Sequence, residues 1–316
     1  MSIAVCLLLY SAAVLVFGPL ILPRLTRTGH APRLGVSVWL IAIASVLGSW
    51  LVAAALIVID VARHWNTPMM VLAACTARLH AVATGQAGIP AQIGVLVIAA
   101  AAIGAITAVG VRLARTLTHL RDTAHEHAHA VRIVSRRSSD RDVMVLEADK
   151  PAAYCVAGRP STIVLTTATL NTLDAEQLAA VLAHERAHLA GYHPQIVTAL
   201  KALATALPRV RLITDGLTEV SRLLEMCADD TAARRHGRTA LLSGLIDLAD
   251  SATPAPALGA ANIAVLSRAQ RLLTPPAWTT QAHTRTTLTV AAIAIAAGPL
   301  ITIALAATGA LLCSSP

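Results

Sequence analysis

Four long apolar stretches set the limits on how this chain can fold. They cover residues 2–22, 35–59, 91–111 and 286–312, and each is long enough to cross a bilayer, which takes about 20 residues. Hydrophobic residues make up 56% of the chain and charged residues only 13%, whereas soluble domains have about 25% charged residues. This composition excludes a wholly soluble fold. We expect a mostly α-helical membrane protein with four transmembrane helices.

The positive charges indicate how these spans are oriented. The formal net charge is +8, and arginines follow the first and third stretches directly: Arg24, Arg27, Arg33, Arg112, Arg115 and Arg121. By the positive-inside rule, the loop at 23–34 and the segment at 112–285 face the cytoplasm of a plasma membrane. The N-terminus, a loop at 61–90 and a short tail at 313–316 then lie outside. The first stretch lacks a basic leader and an A-x-A cleavage site, so we expect a span, not a removed signal peptide.

Residues 112–285 form the one polar segment, which is long enough for one compact α+β domain. The stretch at 143–173 is partly alternating and β-branched, and two of its runs, Ala153–Val156 and Thr162–Thr166, flank Gly158-Arg159-Pro160 and predict a hairpin. A strand edge near a catalytic metal binds substrate backbone in some peptidases. On sequence alone, a purely structural hairpin is an equally good interpretation.

A metal-binding pattern lies inside this segment, in "LAAVLAHERAHLA" at 178–190. His184 and His188 are four residues apart, so on a helix both imidazoles project from one face and can bind one metal ion. Glu185 lies beside them, where it can reach a metal-bound water as a general base. This is the H-E-x-x-H pattern of zinc hydrolases. Asp174 is the candidate N-cap of the helix that carries it.

The same five-residue pattern occurs a second time. His125-Glu126-His127-Ala128-His129 also satisfies H-E-x-x-H, but it lies among charged residues with no apolar helix leading into it. We interpret this copy as a solvated, histidine-rich helix next to the membrane. The chain carries no P-loop, G-x-S-x-G or C-x-x-C motif that would indicate another chemistry.

A carboxylate on a later helix is the best candidate for a third ligand. Glu225 and Asp229 lie four residues apart in "EVSRLLEMCADDTAARRHG" and share one helical face. Glu225 would complete a His2Glu zinc site with an open position for water. Asp229 would accept the N–H of a zinc-bound histidine and fix its tautomer. Glu219 and Asp230 are the alternatives if the helix is rotated.

Two further histidines are candidates for contact with the substrate or the oxyanion. His193 is not expected to be a ligand, because a metzincin places its third histidine one residue later, where this chain has Pro194. A position lining the site suits His193 better. His193 and His236 are both candidate oxyanion donors, and the sequence does not choose between them.

The five cysteines are scattered. Cys155 and Cys227 fall in the segment expected to be cytoplasmic and should be reduced. Cys75 and Cys313 both fall on the expected outer side, and a disulfide between them is a hypothesis.

Three features together carry a family resemblance: several spans, "TLDAEQLAAVLAHERAH", and "EMCADD" on a later helix. The chain resembles integral-membrane gluzincin peptidases of the BlaR/MecR type, which have three spans before a cytoplasmic zinc domain and a fourth after it. "RAQRLLTPP" is a further point of similarity. The resemblance implies His184, His188 and Glu225 as ligands of one zinc ion per chain, and Glu185 as the base. The sequence has no S-x-x-K segment outside, so we do not expect β-lactam sensing by this chain.

These observations predict a membrane-anchored zinc endopeptidase that acts on a protein at the cytoplasmic face. The resemblance implies a transcriptional repressor, or the protease itself, as substrate. An HtpX-like quality-control protease and a non-enzymatic signalling component are the alternatives. Ion transport is a weaker interpretation, because the spans contain almost no ionisable residues. With 3% aromatic residues and no basic stripe, direct nucleic-acid binding is not expected.

Overall fold

A computed structural model describes residues 3–63, 89–138, 140, 142–156, 160–250, 258–274 and 276–312. The protein is mostly helical and has one small mixed sheet. In chain order the elements are α1 (Ile3–Thr26), α2 (Pro32–Arg63), α3 (Ile89–Val134), β1 (Arg136–Arg137), β2 (Val143–Leu146), β3 (Ala153–Val156), β4 (Thr162–Thr166), α4 (Thr167–Thr172), α5 (Ala175–Ala190), α6 (His193–Ala206), α7 (Arg211–His236), α8 (Arg238–Asp250), α9 (Leu258–Leu273) and α10 (Trp278–Leu312).

Three of the described helices, α1, α2 and α10, are long and apolar enough to cross a membrane. They match the first, second and fourth predicted spans. The predicted third span, 91–111, is the first half of α3, a continuous helix of 46 residues that runs on into polar sequence. A fourth membrane crossing therefore stays a prediction. Most of the predicted outer loop at 61–90, the tail at 313–316 and both Cys75 and Cys313 lie outside the described residues.

The largest hydrophobic core joins the apolar helices to the polar segment. Trp39 of α2 is fully buried, and it packs in one cluster with Leu212, Val220 and Leu223 of α7. Gly216 allows this approach, since a Cβ there would lie only 3.0 Å from the Ile43 side chain. Helix α7 is thereby anchored directly on the apolar helix α2.

The sheet has the strand order β1-β2-β4-β3. Strands β3 and β4 pair antiparallel, so the predicted hairpin is confirmed with its predicted bounds, although Gly158 and Arg159 of its turn lie outside the described residues. Strand β2, which the sequence analysis did not identify, runs parallel to β4. Strand β3 is an edge strand of this sheet and lies against α5.

Helix α5 begins where the sequence predicted. The Asp174 side chain accepts a hydrogen bond from the Gln177 backbone N–H at 2.8 Å, and the Gln177 side chain accepts one from the Asp174 N–H at 2.9 Å, which forms a capping box. The chain leaves α5 at Gly191 and passes through Tyr192 in the left-handed region (φ 54°) before α6 starts at His193. This tight connection brings His193 back beside the last turn of α5.

Candidate active site

Two packed helices supply the metal-binding residues. Helix α5 carries His184, Glu185 and His188, and α7, which packs against it, carries Glu225 and Asp229. His184 and Glu185 are buried, and Asp229 is completely buried. The site therefore depends on the α5–α7 contact and not on a mobile surface loop.

Three ligand atoms converge at this contact. Nε2 of His184 lies 3.1 Å from Nε2 of His188, and the Glu225 carboxylate oxygens lie 3.5 Å from the former and 3.4 Å from the latter. Tetrahedral zinc with ligand bonds of about 2.0–2.1 Å requires ligand atoms roughly 3.3 Å apart. The donor set and its spacing therefore fit one zinc ion. Among the described residues, this is the one group of at least three His, Cys, Asp or Glu side chains close enough to hold a metal.

The second H-E-x-x-H copy lies elsewhere. His125 and His129 are exposed on α3, and neither belongs to a group of metal-binding side chains within the residues that the structure describes. His127 makes a tilted ring contact with Tyr154, with centroids 5.9 Å apart. The geometry thus separates two copies that are identical as patterns.

Asp229 lies behind the first histidine. Its Oδ1 is 3.1 Å from Nδ1 of His184, which is hydrogen-bond distance although the angle is not that of a formed hydrogen bond. Burial disfavours a charged His184, but the carboxylates of Asp229 and Glu225 outweigh burial and raise its pKa to about 9. To bind a metal, His184 would give up the proton on Nε2 and keep the one on Nδ1, which faces Asp229, so that the lone pair of Nε2 is free for the metal.

Arg268 of α9 completes the site, and the sequence analysis assigned it no role. Its guanidinium donates two hydrogen bonds to Asp229, at 2.6 and 2.8 Å, and its Nη1 lies 3.1 Å from Glu225. The side chain is only 12% exposed, so the charge of Asp229 is neutralised inside the protein. Burial raises the pKa of both carboxyls, but Arg268 and His184 hold the pKa of Asp229 below its usual range, and His184, His188 and Arg268 do the same for Glu225. The only sequence signal was the segment "RAQRLLTPP", to which Arg268 belongs.

Glu185 lies in the same pocket as the metal-binding atoms. Burial raises its pKa above the usual range of a glutamate, against the opposing charges of the two histidines. A raised pKa brings a carboxylate closer to the pH at which a general base works best. The pocket has a volume of about 710 Å³, and strand β3 forms part of its wall through Ala153, Tyr154 and Cys155.

His193 contacts the second zinc-ligand candidate. Its Nδ1 lies 2.9 Å from Nδ1 of His188, and the two rings meet edge to face. Burial, and then the nearby His188, lower the pKa of His193 to about 4. A neutral His193 can accept the Nδ1–H of His188 and leave Nε2 of His188 free for the metal. His193 also lines the pocket.

The remaining candidates lie away from the metal-binding atoms. His236 is exposed at the last residue of α7, three turns beyond Glu225, and does not line the pocket. Glu219 pairs with Arg222 at 2.8 Å, and Asp230 pairs with Arg271 at 2.7 Å. The rotation of α7 therefore brings Glu225 and Asp229 to the site, and not Glu219 and Asp230.

Comparison with known families agrees with this geometry at a coarse level. Residues 117–217 match the model of Peptidase family M48, whose members are metallopeptidases that typically use zinc. The match covers both H-E-x-x-H copies and ends before Glu225, so it neither chooses between the copies nor supplies the third ligand. Neither the curated proteins nor the solved structures gave a match. The family match points to a metallopeptidase, and the apolar helices suggest that it is associated with a membrane.

Proposed function

We propose that this protein is a membrane-anchored zinc endopeptidase that cleaves a protein substrate at the cytoplasmic face of the plasma membrane. The observation that carries the proposal is the convergence of His184, His188 and Glu225 on one point, with buried Glu185 in the same pocket. A metal-dependent hydrolase requires a general base beside its metal ligands, and the buried carboxyl of Glu185 stands in that position.

His184, His188 and Glu225 would hold the zinc ion, which when bound supplies a Lewis acid and lowers the pKa of a coordinated water towards ~7. Glu185 takes the proton of the attacking water at its carboxylate and later passes it to the leaving amine. Asp229 and His193 hold the imidazoles of His184 and His188 in the tautomers that metal binding needs. Of the two predicted oxyanion donors, His193 lines the pocket and is the one we propose.

The pocket suits an extended peptide. Strand β3 pairs with β4 along one edge, and its residues 153–155 line the pocket beside the metal-binding atoms. An extended substrate would add to the sheet through backbone hydrogen bonds and lay its scissile carbonyl near Glu185. This is the functional interpretation of the hairpin that the sequence left open.

For the substrate we propose a transcriptional repressor in a signalling pathway, as the BlaR/MecR resemblance implies. An HtpX-like quality-control protease is the second candidate, because that group also carries an E-x-x-x-D element, and Glu225 and Asp229 both reach the site here. N-terminal mapping of peptides in cells with and without active enzyme separates the two. One or a few cleaved cytoplasmic proteins indicate a repressor, and many cleaved membrane proteins indicate quality control.

The test is Glu185→Gln in the full-length chain. We expect cleavage products to fall by about 10²–10⁴-fold, while zinc measured by mass spectrometry stays at one ion per chain, because Glu185 is not a ligand. Glu176→Gln is the matched control, since Glu176 is exposed in the first turn of the same helix. Full cleavage by Glu185→Gln would refute the mechanism, whereas no cleavage by the parent together with signalling that survives Glu185→Gln would favour the non-enzymatic signalling interpretation.

A further inference from the structure

A second pocket lies about the C-terminal end of α7 and the start of α10, outside the peptidase site. It has a volume of about 340 Å³, within the range of small-molecule sites. Its wall carries four arginines, Arg234, Arg238, Arg271 and Arg285, but only one carboxylate, that of Asp230. We call it the basic pocket.

The one carboxylate in the wall, that of Asp230, already has an arginine partner. Arg271 donates two hydrogen bonds to the two oxygens of Asp230, at 2.7 and 2.9 Å. Arg234 donates to the Thr231 hydroxyl at 3.2 Å, and within the described residues no carboxylate lies at ion-pair distance from Arg234, Arg238 or Arg285. Three positive charges therefore share one concavity without a counter-ion from the described part of the chain. An anion in the pocket would relieve their mutual repulsion.

The donors match a phosphate group better than a simple halide. Guanidinium groups present planar forks of N–H donors that pair with two phosphate oxygens at once. Helix α8 begins at Arg238, so its first backbone N–H groups and its positive dipole end lie at the same wall.

The pocket is level with the ends of the membrane helices. The Gln281 side chain in its wall donates to the His30 carbonyl, and Arg271 donates to the Gly29 carbonyl, both in the turn between α1 and α2. Arg285 comes immediately before the apolar stretch at 286–312. Trp278, at the start of α10, is 79% exposed, as is common for tryptophans at a membrane–water interface.

We propose that the basic pocket binds a negatively charged phosphate group, supplied by the headgroup of an anionic phospholipid. The site is independent of the peptidase proposal, because none of its residues lines the metal-binding pocket. Its level at the helix ends favours a lipid over free phosphate as the source, since a headgroup phosphate is already concentrated there.

The test compares lipid binding to the full-length protein in a non-ionic detergent by native mass spectrometry. The probes are phosphatidylglycerol, phosphatidylcholine and inorganic phosphate. The pocket variant carries Arg234→Gln, Arg238→Gln and Arg285→Gln. The matched control carries Arg112→Gln, Arg115→Gln and Arg121→Gln, which removes the same charge from exposed arginines beside another apolar stretch.

We expect the parent and the control to bind one phosphatidylglycerol about a hundredfold more tightly than the pocket variant does, because each arginine near a headgroup contributes about a factor of five. Phosphatidylcholine should bind weakly to all three proteins. Unchanged binding in the pocket variant, or an equal loss in the control, would overturn the proposal. Displacement of phosphatidylglycerol by millimolar inorganic phosphate would retain the phosphate site but overturn the lipid source.

Two controls test whether the triple variant is folded. An unchanged unfolding temperature excludes misfolding. A version with lysine at the same three positions, which keeps the charge, should retain part of the affinity.

Discussion

The pair of Arg268 and Asp229 offers the sharpest test of how the site is held together. Both side chains are buried, at 12% and 1% exposure, and two short hydrogen bonds join them. Replacement of Arg268 by methionine would leave the Asp229 charge inside the protein without its cation. Breaking a buried pair from one side costs about 3–5 kcal/mol in the free energy of unfolding. For a domain of this size that is a loss of roughly 6–20 °C in the unfolding temperature.

The double variant Arg268→Met/Asp229→Leu separates stability from metal binding. With both charges gone, most of the lost stability should return, because well-packed apolar side chains replace a buried ion pair at little cost. Zinc affinity should stay reduced by about 10–100-fold, since Asp229 no longer orients His184. Arg268→Met alone should lose stability while Asp229 still faces His184.

Thermal unfolding in detergent and zinc titration measure the two effects. Arg186→Met is the matched control: Arg186 also pairs with two aspartates, Asp140 and Asp142, but all three side chains are at least 39% exposed. Its loss should cost about 1 kcal/mol or less. If Arg268→Met were as mild as Arg186→Met, or if the double variant were as unstable as the sum of its singles, the buried-pair reasoning would fail.

Three more predictions follow from single sites. The double substitution His125→Ala/His129→Ala should leave zinc content unchanged, because these histidines are exposed and lack a carboxylate partner. Burial, and then the nearby Glu185, raise the pKa of the Cys155 thiol to about 12. Cys155 should therefore react with iodoacetamide roughly a thousandfold more slowly at pH 8 than a free thiol does. Its rate should rise about tenfold for each pH unit. Gly29→Ala should cost at least about 1–2 kcal/mol of unfolding free energy, because Gly29 has φ +63° and a Cβ there would also collide with the Met226 side chain; Gly110→Ala, in an open helical position, should instead stabilise by up to about 1 kcal/mol.

Each of these has a clear opposite outcome. Loss of zinc in the His125/His129 variant would assign the metal to the second copy of the motif. For Cys155, alkylation measured in a variant that keeps no other cysteine should still rise with pH between 8 and 10; a plateau near pH 9 would show that the thiol is not buried as described. For glycine, equal stability of the Gly29 and Gly110 variants by urea unfolding would refute the strain argument.

The prediction of individual elements succeeded where the signal was local. The hairpin strands were bounded correctly because strand-forming residues on either side of a glycine and a proline specify both strands and their turn. Strand β2 was missed because each of its residues pairs with a β4 residue 20 positions later, and no turn signal joins the two strands directly. The continuous length of α3 was also not foreseen, because the change from apolar to polar sequence at 112 does not interrupt the backbone hydrogen bonds of a helix.

The sequence by itself determined that His184, Glu185 and His188 share a helix face, because that spacing follows from 3.6 residues per turn and needs no partner. It likewise determined three of the apolar helices through their length. Only the tertiary structure decided that Glu225, and not Glu219 or Asp230, reaches the histidines, because the rotation of α7 is set by the packing of its Leu212 and Val220 against Trp39 of α2. The position of Arg268 was likewise decided only by the tertiary structure. It lies 84 residues after His184 in the chain, and only the packing of α9 brings its guanidinium to Asp229 and Glu225.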